Sequence, residues 1–106
     1  MTIRLSDDAM FDALAAEKWL DSERAGSGGQ FIALFTSALE KIAGQPLWYA
    51  RTEDGPQQPE TREYFIARFE YRVIYTIESD HDIEVLAVVH VRQRPGSWVR
   101  RLGERN

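Results

Sequence analysis

The sequence predicts an α+β fold in which an N-terminal strand and an antiparallel helical hairpin pack on one face of a small, mainly antiparallel β-sheet. Two stretches before residue 45 carry apolar residues at three- and four-residue intervals, the period of a helix with one buried face. A glycine-rich break separates them. Residues 61–92 read instead as short runs of Val, Ile, Tyr and Phe bounded by turn residues. Helices first and a strand meander afterwards is the α+β order. A chain of 106 residues buries enough surface for one modest core, so a single domain over residues 1–106 is expected.

Each element has a local reason. Residues 2–5 are partly β-branched and precede a helix start, which predicts a first strand. Ser6 suits an N-cap, with Asp7 and Asp8 in the first turn where the helix dipole favours negative charge. The helix runs to about Arg24. Its apolar positions are Ala9, Met10, Ala13, Leu14, Ala16 and Leu20, leaving Asp12, Glu17, Lys18 and Asp21 for solvent. Ala25-Gly26-Ser27-Gly28-Gly29 breaks the pattern, and Ser27 with Gln30 matches a capping box. Phe31, Leu34, Phe35, Ala38, Leu39 and Ile42 then form an amphipathic stripe that Gly44 and Pro46 end. So short a link between helices predicts an antiparallel hairpin.

Residues 46–60 hold three of the four prolines and read as a loop, with Leu47, Trp48 and Tyr49 expected to clip it to the core. Strands are expected at about 62–68, 71–78 and 83–92, with Ser79-Asp80-His81-Asp82 as the second turn.

Strand faces follow from the register that gathers apolar side chains, because a one-residue slip exchanges the faces. A three-residue loop Asp80-His81-Asp82 places Tyr71, Val73, Tyr75 and Ile77 with Ile83, Val85, Ala87, Val89 and Val91 under the helices. On the other face Arg72 then lies across from His90, Glu78 across from Glu84, and Arg92 on the diagonal. A tight turn at Phe69-Glu70 adds Glu63, Phe65 and Ala67 to that face. Directly opposed side chains are about 5 Å apart at Cβ, within mutual reach. Arg72 and Arg92 can alternatively pair with Glu63 or Glu70, and His90 can be an ordinary packed residue.

Composition narrows the chemistry. The chain has no cysteine and two histidines, so neither a disulfide nor a metal site is expected, and no cofactor. The N-terminus lacks the apolar stretch of a signal peptide, and no run approaches the ~20 residues of a membrane span, so a cytoplasmic location without membrane contact is expected. Residues 90–106 carry Arg92, Arg94, Arg100, Arg101 and Arg105 against Glu104 alone, a net +4, which leaves −8 on residues 1–89 within the whole-chain −4. A basic tail on an acidic body suits an acidic partner, although a solvated terminus would read the same way.

Tyr71-Arg72-Val73-Ile74-Tyr75 and Val85-Leu86-Ala87-Val88-Val89-His90-Val91-Arg92-Gln93-Arg94-Pro95-Gly96-Ser97-Trp98 resemble the C-terminal half of the RelE/ParE toxins of bacterial type II toxin-antitoxin systems. The element order extends the resemblance over nearly the whole chain. It implies two activities on one scaffold: RelE-like members cut messenger RNA in the ribosomal A site, and ParE-like members inhibit DNA gyrase. Cleavage needs a base for the ribose 2′-hydroxyl, an acid for the leaving oxygen, and cations on the phosphate. Under that alternative the resemblance makes Arg72, His90 and Arg92 the catalytic set. Glu63 and Phe65 stand where RelE-like members carry lysines, however, and their late tyrosine falls on Trp98, which has no hydroxyl. An acidic body also opposes docking on ribosomal RNA.

The ending from His90 to Trp98 resembles the ParE type more closely. That reading implies a gyrase inhibitor that makes and breaks no bond, with Arg72, Arg92, Arg94, Trp98, Arg100 and Arg101 as target contacts. Trp98 among cations has the composition of an interface anchor, and equally that of a cap on the core edge. The resemblance further implies growth arrest, plasmid stabilisation, and a cognate antitoxin that covers an exposed groove or sheet edge in a hetero-oligomer. A third alternative is an inactive relative serving as a protein-binding module.

Overall fold

The computed structural model describes residues 2–79 and 82–103. Its elements are β1 (Thr2–Leu5), α1 (Asp7–Glu23), α2 (Ser27–Gly44), β2 (Thr61–Ile66), β3 (Tyr71–Ile77), β4 (Asp82–His90) and a 3₁₀ turn (Val99–Leu102). The sheet order is β1-β4-β3-β2, with β1 parallel to β4 and the other neighbours antiparallel. The expected α+β arrangement is present, and the helical hairpin covers one face.

Ser6 caps α1 as its sequence position predicts, its hydroxyl accepting from the Ala9 N–H at 3.0 Å. The start of α2 differs from expectation. Ser27 is the first helical residue rather than the cap; Gly26 occupies that place with φ 91°, a left-handed conformation that glycine adopts without penalty. The cap comes from α1: an Asp21 carboxylate oxygen accepts from the Gly26 and Gly28 N–H groups at 2.9 and 3.2 Å. Asp21 therefore stitches the hairpin while staying exposed, as its place on the polar side of α1 predicts. The helices cross closely here, since a Cβ on Gly28 would lie 2.6 Å from the Glu17 carbonyl oxygen.

The first core sets Ala9, Ala13 and Ala16 of α1 and Phe31, Phe35, Ala38 and Ile42 of α2 against the sheet. Met10 and Leu14, expected in the α1 stripe, are exposed instead at 45% and 53%. Three alanines bring that helix close, and larger side chains are turned outward around its rim. In the connection to β2, Tyr49 packs edge-on against Tyr64, while Leu47 and Trp48 project into solvent against expectation, 68% and 75% exposed. The buried Tyr75 hydroxyl donates to the Pro46 carbonyl at 2.5 Å, so this segment is tied down by its backbone.

The largest correction concerns β3 and β4. Pairing begins with Ile77↔Ile83 and Tyr75↔Val85, then slips by one residue to Ile74↔Ala87, Val73↔Val88, Arg72↔Val89 and Tyr71↔His90. Leu86 is the extra residue of a β-bulge, and a bulge exchanges the faces of everything beyond it. Val88 consequently joins the core beneath the helices, whereas Ala87 and Val89 turn away to a second cluster with Ile74, Leu86 and Trp98. His90 lies opposite Tyr71, ring to ring at 5.1 Å, and not opposite Arg72. Glu84 faces Thr76 rather than Glu78, and Arg4 of β1 reaches both carboxylates. Val91, placed in the core by the unbulged register, is 43% exposed just past the strand end. Of the predicted loop, Asp80 and His81 lie outside the described residues, and Asp82 opens β4.

Asp12, also expected in solvent, completes the sheet where β1 stops. Its carboxylate accepts from the Val88 N–H at 2.9 Å, supplying the free edge of β4 with a partner.

Candidate functional site

β4 ends in a tight turn. The Gln93 side-chain oxygen accepts from the His90 N–H at 2.7 Å, and His90 Nδ1 accepts from the Arg92 N–H at 3.1 Å. Pro95-Gly96 then reverses the chain, Gly96 having φ 76°, and the tail runs back as a strap across the face that the hairpin leaves uncovered. Trp98 is 1% exposed there, packed with Ile74, Leu86, Ala87 and Val89, and Val99 and Leu102 flank it.

Two arginine–carboxylate clamps hold the strap. In the first, Arg72 donates from Nη1 and Nη2 to the two Asp54 carboxylate oxygens at 3.0 and 2.7 Å, and from Nε and Nη2 to Glu63 at 3.2 and 2.8 Å. Asp54 Oδ2 also accepts from the Gly96 N–H at 2.9 Å and the Trp98 indole N–H at 3.0 Å. Hydrogen bonds from Arg72, Gly96 and Trp98 outweigh partial burial and hold the Asp54 carboxyl well below the usual carboxylate range. The same carboxylates hold Arg72 firmly in its charged form. In the second clamp, Arg101 donates to both Asp12 oxygens at 2.7 and 3.2 Å and to the Leu86 carbonyl at the bulge at 3.1 Å.

The predicted site residues thus separate into four groups. Arg72 lies on the uncovered face beside the strap, with Glu63 and Phe65 on its side as the register required. Trp98 and Arg101 sit within the packing and clamps. Arg92, Arg94 and Arg100 are exposed, and none pairs with a carboxylate among the described residues. His90 stands apart on the helical side. Arg105 and Glu104, part of the basic tail in sequence, lie outside the described residues.

Asp54 and Asp12 organise this region and were not singled out from the sequence. Asp54 belongs to an acidic pair in a proline-rich loop, and Asp12 to the polar side of a helix; neither has a local signature. An open cleft of about 610 Å³ beside Arg72 is lined by Arg51, Glu53, Asp54 and Glu63 among others. With three carboxylates at its wall, it is ill suited to a polyanion.

The chain matches the family model described as ParE toxin of type II toxin-antitoxin system, parDE, over residues 3–95. It belongs to the ParE toxin family. No curated protein matches it closely. Membership makes this ParE-family chain a toxin of a type II toxin-antitoxin system, a class that works with an antitoxin partner. The matched region ends at Pro95, so the strap from Gly96 onward lies beyond it. No helix among the described residues is long and apolar enough to cross a membrane.

Proposed function

We propose that this ParE-family toxin acts by contact and not by cleavage, inhibiting DNA gyrase through the exposed arginines Arg92, Arg94 and Arg100 of its tail. The carrying observation is the state of Arg72. Its guanidinium is taken up by Asp54 and Glu63, and His90, the alternative's base, faces the other side of the sheet. A substrate phosphate would have to displace the Asp54 and Glu63 carboxylates from Arg72, against their negative charge, and His90 would not be at hand as the base. Of the remaining positions, Phe65 and Trp98 supply no proton-transfer group, and the Glu63 carboxylate is engaged by Arg72. Arg72, Trp98 and Arg101 serve to seat the tail.

A cognate antitoxin completes the reading. Exposed Met10 and Leu14 on α1 and Leu34 on α2 offer apolar side chains to an amphipathic segment of that partner.

Purified toxin is expected to block supercoiling by gyrase and to accumulate cleaved DNA, while messages on translating ribosomes stay intact. Defined cuts in translated messages, with gyrase unaffected, would return the ribonuclease alternative. A chain that does neither and arrests no growth on expression would be a binding module.

A further inference from the structure

We propose that Asp54 is the positioning residue of the tail: one carboxylate in the α2–β2 connection sets the direction in which Arg94 and Arg100 leave the sheet. The inference rests on the contact reading above, but not on gyrase being the target.

Four hydrogen bonds converge on this carboxylate, two from Arg72, one from the Gly96 backbone and one from the Trp98 indole. Glu63 alone already gives Arg72 an ion pair at 2.8 Å, so charge compensation does not require Asp54. What Asp54 adds is the strap. Its Oδ2 takes the N–H groups of Gly96 and Trp98, which bracket the turn between Arg94 and Arg100. Arg94 stands two residues before the first of these donors and takes its placement from that oxygen; Arg100 stands two after the second, held between that oxygen and the Arg101–Asp12 clamp.

The connection itself is shaped for this contact. Gly55, next to Asp54, approaches the indole so closely that a Cβ there would lie 2.8 Å from Trp98 Cη2, and 2.7 and 2.8 Å from the hydroxyls of Thr52 and Thr61. Those two hydroxyls hydrogen-bond each other at 2.5 Å, and the Thr52 N–H bonds to the Thr61 carbonyl, anchoring the connection to β2. Asp54 is thereby a fixed point against which the strap is aligned.

The test uses the full chain with Trp19→Phe and Trp48→Phe, both of which replace exposed residues and leave Trp98 as the one indole. Asp54→Asn keeps the size of the side chain but removes its charge and replaces one of its two acceptor oxygens by a donor among donors. The expected results are a red shift of Trp98 emission and faster tryptic cleavage after Arg100. The expression level needed for growth arrest should rise about tenfold, the factor implied by losing charge-assisted hydrogen bonds. Far-UV circular dichroism and cooperative unfolding should persist. Trp98→Phe in the otherwise natural chain keeps a buried ring and deletes one donor; it is expected to weaken growth arrest by a smaller factor, and it decides the matter if Asp54→Asn fails to fold.

Unchanged emission and cleavage in Asp54→Asn would overturn the proposal, as would a released tail with undiminished growth arrest. Undiminished arrest by Trp98→Phe, where it is the deciding variant, does the same. A wild-type chain that arrests growth without touching gyrase or cutting messages defeats only the target named earlier, and the Asp54 comparison then stands on growth arrest. Message cutting by the wild-type chain overturns both.

Discussion

Trp98→Ala is expected to destabilise the protein by about 3–5 kcal/mol, measured by urea or thermal unfolding. The indole is 1% exposed and is the largest side chain of the second cluster, so truncation leaves a cavity among Ile74, Leu86, Ala87 and Val89. It also removes the N–H donor to Asp54. A residue whose role is to touch a target from the surface would change stability by no more than about 0.5 kcal/mol. The unfolding midpoint therefore separates an anchor from a contact before any assay of toxicity. Loss of toxicity in Trp98→Ala accompanied by the full stability loss means that the tail has lost its seat.

Arg72→Ala is expected to cost about 3 kcal/mol at neutral pH, because it strands two carboxylates beside one another in a site where their side chains are only 12% and 25% exposed. The figure lies at the low end for a broken buried pair, since Glu63 can turn toward water. The pH dependence gives a second signature. In the wild-type chain Asp54 ionises below the usual carboxylate range in the folded state, so its contribution is present above the unfolded value. That contribution is lost as pH falls through about 4 and toward the folded value. In Arg72→Ala the two carboxylates repel, and protonation relieves the folded state. The gap in unfolding free energy between the two proteins should accordingly narrow from pH 7 to pH 4. A gap that stays constant would mean that Arg72 contributes packing and not charge.

Much of the fold was legible because its signals are periodic. The α2 stripe, the glycine break and the strand runs each carry their own spacing, and Ser6 carries its own capping chemistry. The face of Arg72, together with Glu63 and Phe65, was legible for the same reason, since β2 and β3 pair without interruption. The bulge was not. Val85-Leu86-Ala87-Val88-Val89 is apolar at every position and buried on both sides, so no alternation records where one residue is extra. That single residue moved His90 away from Arg72.

The surroundings of the candidate-site residues went unrecognised where partners are distant in sequence. Asp12 looks like a solvent residue on a helix, yet it meets Val88 and Arg101 from the far end of the chain. Asp54 sits in a stretch whose composition says only that it is a loop. The role of Trp98 was open between an interface anchor and a cap on the core edge until its neighbours were known.

The bulge has one more effect, on what happens if the chain is shortened. By turning Leu86, Ala87 and Val89 toward the strap, it gives the sheet a greasy reverse side that the final residues keep dry. Truncation ahead of Trp98 would strip that covering and leave an adhesive strip along the two central strands, a surface prone to self-association. The same dozen residues that carry the free arginines thus act as a lid for the scaffold beneath them.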